Sequence, residues 1–297
     1  MKPSTLGLVA ALLLVGCGTP TPQAAATIAT ETATLTLQPP APITAPPNLA
    51  LPTQTSTPSP TIPPPTATLD ITTDQWPTPL SLMLHRKSAK FDTVAFLRDF
   101  VKTLKENDVH VVTYQQVATN LEMTLRERGK LVIISIDDIH LIAPIPPDIQ
   151  EMIEILREAG YPAVLGVVTE GISPTQETVE TLKELSALGW EIATHTDTHK
   201  NLAELENWSP GDVRMEIRIS CDKIEKAIGI RPITLILPEG QMVMTPKLVY
   251  KENIRWAVGI NGGVVFDSTD RFFYVGRESP GLDAAGTFRA MMQRFAP

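Results

Sequence analysis

From Leu80 onward the sequence predicts an α/β fold with a parallel sheet, closed as a barrel rather than left open. Three observations carry this. Short apolar runs such as Leu131–Ile136 end in turn or polar residues and read as strands buried on both faces. Amphipathic stretches with helical spacing separate them, in strict alternation. Roughly seven or eight such units fit between residues 80 and 297, which favours a barrel over an open sheet.

The chain ahead of that domain is of another kind. Of the 297 residues, none between Lys2 and Arg86 is Lys or Arg. Met1-Lys2 and the apolar run Leu6 to Val15 read as a secretory signal, too short for the ~20 residues that span a bilayer. The run ends in Leu14-Val15-Gly16-Cys17-Gly18, which resembles the lipobox of a bacterial lipoprotein. That likeness implies cleavage after residue 16 and a lipid on Cys17, hence an anchor in a bacterial membrane and an extracytoplasmic domain. From 17 to 79 the composition is mostly Pro, Thr, Ala and Ser, with 15 of the 27 prolines. Such a stretch lacks the side chains that offset chain entropy, so a disordered, extended stalk is expected.

Without Lys2 and the stalk acids Glu31, Asp70 and Asp74, the domain has 24 basic and 30 acidic residues, a balance of −6. A mildly acidic domain without basic runs argues against a nucleic-acid partner. Its one cysteine, Cys221, shares an apolar stripe with Val213, Ile217, Ile224 and Ile228 and reads as a buried thiol.

In order, the domain opens with the strand Leu80 to Leu84, which ends at His85. Asp92 is the expected cap of a helix to about Asn107, with Phe91 stapled against Phe96. A strand at His110 to Thr113 and a helix from Tyr114 to Arg128 follow. Leu131 to Ile136 then delivers Asp137 and Asp138. A helix over 148–159 stops at Gly160, and Ala163 to Val168 is strand. Ser173 is the expected cap of the next helix, which buries Val179, Leu182, Leu185 and Leu188. Trp190 to Thr194 delivers His195 and His199. A helix from Pro210 to Gly229 has Trp208 before its cap, either stapled on Val213 or offered as a sugar platform. Strands at 233–237, 256–259 and 272–275 and helices at 245–253 and 283–295 complete the chain.

The chemistry gathers at two strand ends, which converge on one face of such folds. Adjacent aspartates are usually turn residues and paired loop histidines are often incidental, but together they suit a mixed His/carboxylate metal centre. Neighbours on a chain point apart, so one aspartate would join the histidines on the ion and the other would act as general base.

These residues resemble the polysaccharide deacetylases, the NodB-homology domain of carbohydrate esterase family four, from about Leu80 to Arg277. Ser135-Ile136-Asp137-Asp138-Ile139 matches the first motif, Thr-Phe-Asp-Asp-Gly, and His195-Thr196-Asp197-Thr198-His199 matches His-(Ser/Thr)-X-X-His. The resemblance implies a distorted (β/α) barrel, with Asp138, His195 and His199 on a divalent metal, zinc foremost, and Asp137 as base. It implies a hydrolase that removes N-acetyl groups from an extracellular or cell-wall polysaccharide. The alternatives are a binding or scaffold protein with weakened chemistry, or an O-acetyl esterase. Departures are specific. Ile139 replaces the motif glycine, which argues against a left-handed backbone there. Leu237-Pro238-Glu239-Gly240 keeps only Pro and Gly of the third motif, and no Leu-X-His motif is recognisable, with Arg277 near its place. His140, His85 and Glu239 are therefore all candidates for the proton donor.

Overall fold

The computed structural model describes residues 80–119, 130–260, 264–267, 272–281 and 283–293. The signal segment, Cys17, the Pro/Thr-rich stretch and residues 120–128 of the helix expected over 114–128 lie outside these residues.

The strands are β1 (Leu80–Leu84), β2 (His110–Val112), β3 (Leu131–His140), β4 (Val164–Val168), β5 (Glu191–Thr194), β6 (Thr234–Ile236), β7 (Trp256–Ile260), β8 (Val264–Asp267) and β9 (Phe272–Arg277). The helices are α1 (Thr93–Glu106), α2 (Tyr114–Thr119), α3 (Pro147–Ala159), α4 (Gln176–Ala187), α5 (Leu202–Trp208), α6 (Pro210–Ile228), α7 (Lys247–Tyr250) and α8 (Ala284–Gln293). The sheet runs β1-β3-β4-β5-β6-β7-β9-β8, with β2 also on β3, and every pairing is parallel except β8 with β9. A parallel bridge between Leu82 and Glu278, with Met83 N and Glu278 N each donating to the other segment at 2.8 Å, joins β1 to the end of β9. The sheet is thus nearly closed into a barrel, as the alternation and the resemblance predict.

Strand alternation sorts the side chains between the inside of the barrel and its outer, helix-covered face. On β3, Val132, Ile134 and Ile136 face outward into a core shared with α1, α3 and α4. Ile133 belongs to the inner cluster with Val164, Ala193, Ile236, Trp256, Val258, Phe273 and Val275. Tyr114 and Val117 of α2 pack into that cluster beside the early ends of the strands. Glu191 is buried there as well, accepting from Gln115 N at 2.9 Å and Thr234 Oγ1 at 2.5 Å. Its carboxyl is pushed up by burial.

Local signals are mostly obeyed. Asp92 caps α1 by accepting from Ala95 N, and Phe91 meets Phe96 with ring centroids 5.5 Å apart. Gly160 and Gly229 close α3 and α6 in left-handed conformations, as helix-ending glycines do. Three expectations are corrected, and two elements are new. α4 begins at Gln176 behind Thr175, so Ser173 is not its cap. α4 ends at Ala187, which leaves Leu188 past its stripe and exposed. α5 and β8 were not anticipated. Trp208 is the last residue of α5, and that helix directs its side chain outward to 87% exposure, so it is no staple on Val213.

Candidate active site

The inner phase of the barrel carries the site. Counting by twos along β3 gives Ile133, Ser135 and Asp137; along β5 and just past it, Ala193 and His195; along β9, Phe273, Val275 and Arg277. Apolar residues fill the lower positions, and the last inward position before each loop is ionisable. Gly166 on β4 makes room: a Cβ there would stand 3.0 Å from Ile236 Cδ1 and 3.4 Å from Asp137 Cα.

Alternation alone would turn Asp138 away from Asp137. The pairing of β3 with β4 slips between Ile136 and Ile139, a bulge that holds both aspartates. Asp138 takes a left-handed φ of 62°. The strained residue is therefore Asp138 itself and not its neighbour, which explains how Ile139 stands where the family motif has glycine. Thr196 (φ 66°), His199 (φ 56°) and Glu239 (φ 57°) are left-handed as well. Such strain in non-glycine residues persists where surrounding structure enforces it, often around functional sites.

Asp138, His195 and His199 meet at one point. Asp138 Oδ1 is 3.3 Å from His195 Nε2 and 3.2 Å from His199 Nε2, and the two Nε2 atoms are 3.1 Å apart. A tetrahedral ion with bonds of ~2.0–2.2 Å needs ligand atoms about 3.4 Å apart, so this triangle fits a zinc-like centre with a small expansion. The tautomer fits too. His195 Nδ1 is 2.8 Å from the Ile236 carbonyl, which can only accept, so Nδ1 carries the proton and the Nε2 lone pair faces the triangle. The imidazoles of His195 and then His199 hold the Asp138 carboxyl far below the usual range, and the Asp138 carboxylate raises His199. The same field that favours a proton on His199 favours a divalent cation, which would displace it.

Asp137 has different surroundings. It is 1% exposed, and Arg277 Nη1 donates to Oδ1 at 2.7 Å and Oδ2 at 2.8 Å. Arg277 also donates to Ser135 Oγ at 2.7 Å and, through Nε, to the Gly259 carbonyl at 3.2 Å. Burial alone would raise the Asp137 carboxyl, but the guanidinium, with help from His195, holds it below the ordinary value. His85, at the end of β1, brings Nε2 to 3.7 Å from Asp137 Oδ2 and remains 45% exposed.

The structure thus brings together Asp137, Asp138, His195, His199 and His85. It leaves His140 exposed at the last position of β3. Glu239 is exposed in the turn Pro238–Gly240, where it accepts from Asn201 Nδ2 at 2.8 Å and adds to the field that raises His199. The retained Gly240 is required there, because a Cβ would overlap Ile260. Arg277 is the residue whose role sequence reasoning missed. Its signal was present: in Phe272-Phe273-Tyr274-Val275-Gly276-Arg277 it sits in phase with two buried residues, where an arginine must find an anion.

Residues 124–255 match the family model for polysaccharide deacetylase. No curated protein matches the chain by sequence. Among solved structures it is similar to the deacetylase PplD of Streptococcus pyogenes in complex with acetate, at 19% identity and a TM-score of 0.57, over 72% of this chain and 97% of that one. It is similar to IcaB from Ammonifex degensii at 17% identity and a TM-score of 0.57, over 72% and 96%. A de-N-acetylase from Aggregatibacter actinomycetemcomitans matches at 18% identity and a TM-score of 0.55, over 71% and 98%. At such identities these likenesses concern the fold alone. Residues 124–255 thus resemble the polysaccharide deacetylase family, and the nearly closed barrel is a fold this chain shares with these deacetylase structures.

Proposed function

We propose that the protein is a metal-dependent hydrolase that removes N-acetyl groups from an extracellular or cell-wall polysaccharide. The observation that carries this reading is the triangle of Asp138, His195 and His199 beside a buried carboxylate, Asp137, kept ionised by Arg277. A divalent ion, zinc by preference, would supply a polarising centre for the acetamide carbonyl and acidify a water for attack. Asp137 accepts the proton of that water, and Arg277 keeps the carboxylate both charged and fixed. Of the three candidate donors, His85 is the one beside Asp137, so it hands a proton to the departing sugar amine. Arg277 supplies from β9 the guanidinium that the third motif lacks, which favours an active enzyme over a scaffold.

The expected result is acetate release from N-acetylated glucosamine polymers, abolished by a chelator and restored by zinc. Release only from O-acetylated glycans would make the protein an esterase. Glycan binding without any acetate release would make it a binding protein. The lipobox-like Leu14 to Gly18 supports a lipid on Cys17, an extracytoplasmic domain at a bacterial membrane and a stalk between them. Cys17→Ala should move the protein from the membrane fraction to the soluble one; an unchanged distribution contradicts the anchor.

A further inference from the structure

The loop between the two histidines is held from one helix. On α6, Glu216, Ser220 and Lys223 stand at i, i+4 and i+7, a single stripe beside the apolar one formed by Val213, Ile217, Cys221 and Ile224. Each reaches the segment Thr194–His199. Glu216 is buried and accepts from Thr198 N at 2.8 Å and Thr198 Oγ1 at 2.6 Å, while its own carbonyl accepts from Asp197 N at 3.1 Å. Ser220 Oγ accepts from Thr194 Oγ1 at 2.7 Å, and that hydroxyl in turn accepts from Thr196 N at 3.2 Å. Lys223 Nζ donates to Asp197 Oδ1 at 2.7 Å and to the carbonyls of Thr169 and Gly171 at 3.0 and 2.9 Å. Those three bonds use all three ammonium protons. Thr169 Oγ1 adds a second bond to Asp197 Oδ1 at 2.8 Å.

The loop needs such holding. Thr196 and His199 both take left-handed φ values, which a β-branched residue in particular avoids. His195 is oriented by the Ile236 carbonyl, whereas among the described residues the His199 ring makes no hydrogen bond outside the triangle. His199 is therefore aimed by its backbone, and its backbone is set by Thr198 and Asp197. We infer that Glu216 and Lys223, with Ser220 between them, are positioning residues that hold the His195–His199 loop in its ligating shape. This rests on the reading of Asp138, His195 and His199 as metal ligands.

The test uses the full-length chain and two readouts: zinc affinity by chelator competition and the visible spectrum of the cobalt-loaded protein. Glu216→Ala and Lys223→Met are each expected to weaken zinc binding by about 10–100-fold and to change the cobalt spectrum. Glu216→Gln, which retains one acceptor for Thr198, should recover part of the loss. Arg214→Gln breaks an ion pair from the same helix to Glu252, 2.6 Å long and directed elsewhere, and should keep parental affinity. Should Glu216→Ala not fold, Thr198→Val removes the hydroxyl bond from the loop side and is expected to act in the same direction. His199→Ala separates the two ideas. If it abolishes binding while the Glu216 and Lys223 variants keep parental affinity and spectrum, the positioning role is overturned and the ligands stand. If the parent and His199→Ala bind alike, the ligand reading itself fails.

Discussion

The two halves of the site are built in different ways. Asp138, His195 and His199 come from β3 and from the end of β5, the two strands that flank β4, and from one five-residue loop, and their side-chain atoms stand 3.1–3.3 Å apart. Asp137, Arg277 and His85 come from three separate strands, with Arg277 140 residues from its carboxylate partner. One half is built within the run β3-β4-β5; the other exists only once the barrel closes through the bridge between β1 and β9. The boundary between them falls between two adjacent residues, and the bulge in β3 gives these two carboxylates different partners.

The comparison breaks most completely on the metal side. His195→Ala combined with His199→Ala should abolish divalent-ion binding, checked by elemental analysis of the purified chain, with Asp137 and Arg277 still paired. Equal metal in the double variant and the parent would mean that the triangle is not a site.

Next comes Arg277→Met. Removing one partner of a buried ion pair costs about 3–5 kcal/mol, visible as a lower denaturant midpoint. Because the guanidinium is what opposes the effect of burial, its loss should raise the Asp137 carboxyl. The acidic limb of kcat/KM then moves to higher pH, since the base stays protonated further up the scale. Metal content should be near parental. An unshifted acidic limb would show that Arg277 does not govern the base.

His85→Gln should lower kcat by about 100-fold, the low end of general acid–base effects, with metal retained. Parental kcat would return the donor role to Glu239 or His140. The smallest change is Gly166→Ala. Its methyl would crowd Ile236 and the Asp137 backbone at 3.0 and 3.4 Å, a cost of about 1–3 kcal/mol if the neighbours cannot yield. The effect should appear in kcat before it appears in metal affinity.

The same division explains what the sequence disclosed. The barrel was legible because each apolar run and each helical stripe is a local pattern, and Asp92, Gly160 and Gly229 mark their ends. The cluster of Asp138, His195 and His199 was legible because its residues sit at the ends of two apolar strand runs. The pairing of Asp137 with Arg277 was not, since nothing near Asp137 in the chain says that an arginine on β9 will face it. α5 escaped although Asn201 accepts from Ala203 N and Glu204 N, a cap followed three residues on by Glu204. That signal lay in a stretch read as a connection to α6, and the fate of Trp208 followed from the omission. The left-handed turn at Asp138 was also hidden, because the bulge depends on β4 and not on the residues of β3 alone.

The division of labour between neighbouring aspartates is tested most directly by metal content and acetate release measured together on the parent, Asp137→Asn and Asp138→Asn. Asp137→Asn should keep its metal and lose about 100- to 10,000-fold of turnover, while Asp138→Asn should lose the metal itself. Turnover at the parental level in Asp137→Asn, or loss of metal from that variant, would contradict the account.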